Sequence, residues 1–374
     1  MLKIVLITGW YPTQDDPLNG FFVREHVRAL MKTGKVNIVI LHYKRSEVPI
    51  YKIYKEYDEN EIKVIRILIN RKLKIIFNMI AFIIILLYLI KLKPHIIHTI
   101  NYTTTALFSF LKFILRKPIV YTEHSYDVFK PIGFKRFLFN IALRFSDIVL
   151  PVSKVQQFVL MRNFPKIDKS KFIVVYNTID EDYCKCSENK FNEPIVLAIS
   201  RLEKEKGIQY LIEAIARIKY KDTKLYIVGS GSYEYELKKL VTELNLNNRV
   251  IFVGYLHPNS NIKKELLCNT TMLVFPSRLE TFGYVMVEAL ICGKPVCTTA
   301  ITGSELIPNY AGIVLKKVDI NSLARSIEEI LEKLEKFNAI KIKSYAQRVF
   351  GHSSIGKKLY EIYYSVLKYG KNKS

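Results

Sequence analysis

Short apolar runs alternate with amphipathic stretches from Leu2 onward, as a parallel sheet with crossover helices requires. Buried strands are predicted over 3–7, 36–41, 95–98, 118–121, 147–150 and 171–176, with helices over 22–31, 105–115, 134–145 and 154–161. That set makes one doubly wound domain. After Asn177-Thr-Ile-Asp180 comes a polar segment with little periodicity, and a second alternation follows it. Its predicted strands are 195–200, 224–228, 250–252, 272–275 and 295–298, and its predicted helices are 208–218, 233–244 and 285–292. The expected organisation is therefore a Rossmann-like domain over 1–183, a linker over 184–193 and a second Rossmann-like domain over 194–350. The segment 351–374, aromatic and basic at helical spacing, is expected to form a helix that packs back toward the first domain.

One segment breaks the alternation. Residues 75–90 are apolar except for Asn78 and the Tyr88 hydroxyl, and Arg71, Lys72, Lys74, Lys91 and Lys93 bracket them. A spanning helix needs about 20 apolar residues, so this run is short. It reads as a core helix, a helix dipping into a membrane interface, or a true span; the basic brackets would meet lipid phosphates in the second case.

The 374 residues include 57 Lys+Arg against 34 Asp+Glu, a formal charge of +23, and 49% are hydrophobic. Disorder is excluded by that apolar content. Residues 1–180 hold 28 basic and 13 acidic side chains, so the excess lies mainly in the first half. A basic surface of this kind attracts nucleic acid, anionic lipid or phosphorylated small molecules. Five cysteines look scattered without a framework, and Cys184-x-Cys186 has no second pair to complete a zinc site. No metal ligand set is assigned. The opening Met-Leu-Lys-Ile-Val-Leu-Ile lacks a signal-peptide cleavage site, and the expected location is the cytoplasm, at the inner face of the cell membrane.

Three stretches carry candidate chemistry. Gly9-Trp10-Tyr11-Pro12 and Asn19-Gly20 lie between the first strand and a helix, where a glycine lets backbone amides approach a phosphate or simply makes a tight turn. Ser200 to Gly207 places Arg201 and Lys206 around a strand-end loop, a fork and a point charge suited to a diphosphate. Glu280-Thr-Phe282-Gly283-Tyr284-Val285-Met-Val-Glu288 sets two carboxylates around a turn and the start of a helix. Carboxylates accept from sugar hydroxyls and helix N-terminal amides donate to phosphate, so this constellation suits a phosphosugar.

With these residues in place the chain resembles the GT-B nucleotide-sugar glycosyltransferases of family 4, group 1, over essentially its whole length. The matching pieces are Asn19-Gly20-Phe21-Phe22-Val23-Arg24-Glu25, Pro94-His-Ile-Ile-His98, Thr122-Glu123-His124, Asp147-Ile-Val-Leu-Pro-Val-Ser153, Asn177-Thr-Ile-Asp180, Arg201…Lys206-Gly207 and Glu280…Glu288. The resemblance implies two Rossmann-like domains facing a central cleft, and retaining transfer of a sugar from a nucleotide diphosphate without a catalytic metal or other cofactor. By position, Arg201 and Lys206 resemble the diphosphate-binding pair, Glu288 the carboxylate on the donor ribose, and Glu280 the one beside the donor sugar. Phe282, Gly283, Tyr284 and Val285 would contact sugar and phosphate, and the stretch ending at Leu256 would meet the base. His124 resembles the histidine that faces the donor, and Gly20 the loop glycine near its phosphates.

Thr178 stands where many members have glycine, and Ala300-Ile-Thr-Gly303-Ser-Glu305 replaces a double-glycine loop. Asp180-Glu181-Asp182 spells a metal-binding D-x-D but lies in the polar segment between the domains, away from the expected diphosphate clamp. The expected partners are a nucleotide sugar, a lipid-linked or saccharide acceptor of surface polysaccharide or glycolipid assembly, and an anionic membrane surface. Competing readings are a UDP-N-acetylglucosamine epimerase of the same fold and a non-enzymatic basic protein binding anionic membranes or nucleic acid. Nucleic acid is disfavoured because no RNP, KH, zinc or helix-turn-helix signature occurs.

Overall fold

The computed structural model describes the chain except for residues 59–60, 74–75, 187–192, 259, 279, 302 and 371–374, and the side chains of 369 and 370. It divides into two compact units, Met1–Thr178 with His352–Ser374, and Ile179–Gly351. The expected boundaries at 183 and 350 thus shift. Ile179 is already tied into the second unit by its amide, which donates to the Phe350 carbonyl at 3.0 Å. Most of the expected linker, 187–192, lies outside the described residues.

The first unit runs β1 (Leu2–Thr8), α1 (Phe21–Lys32), β2 (Val36–Ser46), β3 (Tyr51–Tyr57), β4 (Lys63–Asn70), α2 (Phe77–Leu92), β5 (Ile96–Ile100), α3 (Tyr102–Phe108), α4 (Leu111–Leu115), β6 (Ile119–Glu123), α5 (Gly133–Phe145), β7 (Ile148–Pro151) and α6 (Lys154–Asn163). Its sheet has the order β3-β4-β2-β1-β5-β6-β7, parallel except for the β3–β4 pair. Successive residues of β1 serve opposite faces, as the two-residue period demands. Ile4 and Leu6 join Val23, Val27 and Leu30 of α1, whereas Val5 and Ile7 join the layer of α2.

Two predicted elements differ. The helix expected over 105–115 is two helices, interrupted at Ser109 and Phe110. The strand expected over 171–176 is extended chain that bridges Val149 through Phe172 and adds only two further backbone bonds, Ile173 to Val149 and Val175 to Pro151.

The second unit runs β8 (Ile195–Ile199), α7 (Ile208–Arg217), β9 (Lys224–Val228), α8 (Glu234–Glu243), β10 (Val250–Gly254), α9 (Asn261–Asn269), β11 (Met272–Phe275), α10 (Tyr284–Ile291), β12 (Val296–Thr299), β13 (Gly312–Leu315), α11 (Ile320–Glu332) and α12 (Ala339–Phe350). Its parallel sheet has the order β10-β9-β8-β11-β12-β13. The chain winds outward from β8 through β9 to β10, then restarts at β11 on the other side. The loops after β8 and β11 therefore border the switch point, where open α/β sheets take their ligands. The final helix, α13 (His352–Gly370), returns to the first unit and buries Ile355, Leu359, Ile362 and Tyr363 in the core shared with α1.

The apolar run divides between two environments. Its first residue, 75, and the basic bracket at 74 lie outside the described residues. Within α2 a stripe of Phe77, Ala81, Ile85 and Leu89 enters the core, while Met79, Ile83, Leu87 and Ile90 are each more than half exposed. A purely buried helix is thereby excluded. No described helix is long and apolar enough to cross a membrane.

Candidate functional site

The loop after β8 begins at Ser200 and passes through a 3₁₀ turn, Lys204–Lys206, to Gly207. Gly207 has φ +73°, and a Cβ there would lie 2.2 Å from the Pro276 carbonyl oxygen, so the β8 and β11 loops meet backbone to backbone. The Arg278 amide donates to the Glu205 carbonyl at 2.8 Å, and Lys206 Nζ donates to Glu280 Oε2 at 3.0 Å. Two residues assigned separately from sequence, Lys206 and Glu280, are thus an ion pair across the switch point. Arg201 is exposed on the same loop as Lys206. Behind it, the Ser230 carbonyl accepts from the Leu202 amide at 2.9 Å, and side chains at Gly229 or Gly231 would collide with Ser200 or Leu202.

The β11 loop leads into α10 through buried Phe282 and Gly283, whose φ of +75° turns the chain into the helix. The next loop leans on it, because a Cβ at Gly303 would lie 2.0 Å from the Phe282 carbonyl oxygen. Tyr284 and Val285 begin the helix, half-buried.

Glu288 lies just over one turn into α10 and is 2% exposed. Its Oε1 accepts from Lys263 Nζ of α9 at 2.6 Å and lies 3.1 Å from the Tyr183 hydroxyl. That hydroxyl is also 3.2 Å from the Pro258 carbonyl oxygen, so Tyr183 connects Glu288 with the loop carrying half-buried Leu256. Glu288 Oε2 is buried and has no hydrogen-bond partner among the described residues. A buried carboxylate with one oxygen fully engaged and the other unsatisfied is costly unless something donates to it. The two glutamates therefore serve different neighbours: Glu280 holds Lys206 at the switch point, and Glu288 faces α9 and Tyr183.

In the first unit, Gly20 caps α1 at φ +70°, and a Cβ there would lie 2.3 Å from the Trp10 carbonyl oxygen. The tight-turn requirement alone accounts for this glycine. Two residues later Phe22 lies against His124, ring centroids 4.1 Å apart, just past the end of β6. Burial first, then the neighbouring His26 and His98, hold His124 well below the ordinary imidazole range, so it is neutral. Its Nε2 is buried without a partner among the described residues. Beside it Glu123 is fully buried and pushed up to about 7 by desolvation, although Tyr121, Ser125 and Tyr102 donate to it.

Asp180-Glu181-Asp182 forms a local turn in which Asp180 Oδ1 accepts from the Asp182 amide. The cysteines correct the sequence reading more sharply. Cys268 and Cys292 join Cys184 and Cys186, paired as Cys184–Cys292 and Cys186–Cys268, so four of the five are not scattered. Separations of 108 and 82 residues hid the pairing. Lys263, Tyr183 and Glu123 were also missed as site residues. Nothing in the sequence marks Lys263 or Tyr183, whereas Gly229-Ser-Gly231 at a predicted strand end was a readable signal for a close loop approach.

Known proteins resemble the chain over most of its length. Residues 184–347 match the family described as Glycosyl transferases group 1, and residues 20–183 match Glycosyltransferase Family 4. A Campylobacter jejuni relative, N-acetylgalactosamine-N,N'-diacetylbacillosaminyl-diphospho-undecaprenol 4-alpha-N-acetylgalactosaminyltransferase, is 31% identical over 57% of this chain and 59% of its own length. N-acetyl-alpha-D-glucosaminyl L-malate synthase of Bacillus anthracis is 29% identical over 69% of this chain and 70% of its own. Among solved structures, Anabaena Alr3699/HepE in complex with UDP has a TM-score of 0.79 at 20% identity, covering 98% of this chain and 100% of that one. The apo lipopolysaccharide outer core galactosyltransferase WaaB has a TM-score of 0.75 at 18% identity, covering 99% and 100%. At such identities the solved structures establish the fold. The two family matches run without a gap from residue 20 to residue 347, and the chain belongs to the GT-B glycosyltransferases of family 4, group 1.

Proposed function

We propose that the protein transfers a sugar from a nucleoside diphosphate donor to a membrane-associated saccharide acceptor, with retention at the anomeric carbon and without a catalytic metal. The observation that carries this reading is the Glu288 carboxylate, with Oε1 fixed by Lys263 and Oε2 buried and unsatisfied. A ribose hydroxyl of the donor supplies the missing donor there. Arg201 and Lys206 take the diphosphate; an ammonium has three protons and can serve both Glu280 and a phosphate oxygen. Glu280 accepts from the donor sugar, the backbone from Phe282 to Val285 borders sugar and phosphate, and the Leu256 loop borders the base. In the first unit Gly20 and the neutral His124 are assigned to substrate, His124 as a hydrogen-bonding group to sugar and not as a base.

In the reaction the bond from the anomeric carbon to the β-phosphate oxygen breaks, and the acceptor oxygen bonds the same face of that carbon. The acceptor's proton passes to the leaving phosphate. Negative charge builds on the diphosphate in the transition state, where positioned cations stabilise it most. Complexes of Anabaena Alr3699/HepE with UDP and with UDP-glucose support a nucleotide-sugar donor. The diphospho-undecaprenol named in the Campylobacter relative supports a lipid-linked acceptor in glycolipid or polysaccharide assembly. The exposed apolar residues of α2, with exposed Lys91 on the same helix, support contact with an anionic membrane.

The test is a mass-spectrometric transfer assay with UDP-, GDP- and ADP-sugars and polyprenyl-diphosphate saccharides. Assayed without reductant, so that both disulfides stay intact, one donor should give a product with the α or β configuration of the donor retained, in excess chelator. Inversion, a metal requirement, or isomerised donor formed without acceptor would overturn the reading.

A further inference from the structure

Four sulfurs converge in the second unit. Cys184 and Cys186 arrive on the segment that opens the unit, Cys268 lies near the end of α9, and Cys292 directly follows α10. The two pairs have Cα separations of 5.2 Å and 5.0 Å. They form a single cluster, because the sulfurs of Cys184, Cys186 and Cys268, drawn from both pairs, all lie within 4.8 Å of one another. A tetrahedral zinc ion with Zn–S bonds of about 2.3 Å sets its sulfurs roughly 3.8 Å apart, a spacing the three clustered side chains and Cys292, bonded to Cys184, can reach once reduction lets each bonded pair part.

The surroundings suit the ion and its charge. Cys184 and Cys292 are buried, which favours a closed structural site. Cys268 lines an open cavity of about 610 Å³ whose wall includes Asp182 and Glu265, carboxylates that attract a cation, and Lys185 and Lys264, which offset thiolate charge. Lys343 adds a further cation, donating to the Cys184 carbonyl at 3.4 Å.

We propose that the reduced chain binds one Zn²⁺ through Cys184, Cys186, Cys268 and Cys292, and that this ion holds the Glu288 site together. Two equivalents of a dithiol reductant deliver four electrons and four protons to the two S–S bonds, each equivalent being oxidised to its disulfide. Zinc binding then releases the four thiol protons. The cluster ties together three elements, each of which contributes one group at the Glu288 carboxylate. Tyr183 adjoins Cys184, Lys263 is one turn and a residue before Cys268, and Glu288 is one turn before Cys292. The metal assignment is independent of the proposed function; only the link to donor binding rests on it.

The experiment reduces the full chain with a dithiol, adds Zn²⁺, removes excess by gel filtration, and measures zinc by elemental mass spectrometry and thiol reactivity by iodoacetamide labelling. The expected result is one zinc per chain, with these four cysteines protected until EDTA is added. Cys186→Ser, at the exposed ligand, should weaken zinc binding at least tenfold and raise the donor KM with less change in kcat. No bound zinc, labelling unchanged by zinc, or disulfides that survive the dithiol would each overturn the metal site, whatever the variant does. Stoichiometric zinc with donor affinity unaffected by EDTA would overturn the link to Glu288 alone, and stoichiometric zinc in a chain that binds no nucleotide sugar would count against the donor reading.

Discussion

Replacing Lys263 by Met probes the Glu288 site through stability before any substrate is added. Lys263 and Glu288 are 7% and 2% exposed at the side chain and 2.6 Å apart, so the variant leaves a carboxylate buried with Tyr183 as its remaining named partner. Removing one partner of a buried pair costs about 3–5 kcal/mol, because the other charge stays desolvated. For a unit of this size 1 kcal/mol corresponds to about 2–4 °C, so the second unit's transition should fall by roughly 6–20 °C. Adding Glu288→Gln removes the stranded charge and keeps an oxygen for the Tyr183 hydroxyl. The double variant should therefore recover at least half of the loss, a coupling that a double-mutant cycle reads directly. Differential scanning calorimetry of the four proteins is the assay. Effects that simply add, or a Lys263→Met transition within about 2 °C of the parent, would refute the view that the pair is a buried, mutually dependent unit.

Gly207→Ala should destabilise the second unit by more than Gly283→Ala, by about 1–3 kcal/mol in thermal unfolding. Both have positive φ, but the new methyl meets the Pro276 carbonyl at Gly207 and only the mobile end of Met286 at Gly283. The first unit should lose stability on acidification, followed by circular dichroism. Burial holds His26 at about 4 and His42 and His98 at about 3, so the stability they contribute is present above 6.5 and lost as the pH falls toward those values. Glu123, raised to about 7, opposes this: its contribution is full below about 4.5 and lost as the pH rises to 7, so Glu123→Gln should steepen the loss of stability on acidification from about pH 6.5 to 4.5. A parent unit that gains stability from pH 7 to pH 5 would contradict the balance. Ile83→Gln with Leu87→Gln should abolish binding to anionic liposomes and leave folding intact, whereas Ile85→Ala, inside the core, should lower stability by about 2–5 kcal/mol.

The elements that sequence revealed are those with a period or a punctuating glycine. β8 and β11 are continuous apolar runs, and Arg201, Lys206, Glu280 and Glu288 stand at the loops and helix start that follow them. The edge strand β3 was invisible because Tyr51–Tyr57 is rich in Lys, Tyr and Glu and largely exposed, as a solvated edge must be. No period could choose the buried face of α2, since it is apolar all round; only packing against the sheet selects Phe77, Ala81, Ile85 and Leu89. The partners of Glu288 were equally hidden. Tyr183 is 105 residues away and Lys263 is 25, and neither stands out among 24 tyrosines or in a chain this rich in lysine. The residues proposed to bind were thus legible as motifs, but the groups that hold them in place were not, because long-range contacts leave no local pattern.

The most direct measurement is calorimetric titration of UDP-, GDP- and ADP-sugars into the parent chain and the Lys263→Met/Glu288→Gln double variant, whose fold the first prediction preserves. The account predicts that one nucleotide sugar binds the parent and that the variant loses about tenfold to a hundredfold in affinity, as expected for a lost hydrogen bond to a charged group. A parent that binds no nucleotide sugar, or a variant that binds it equally well, would contradict the central claim.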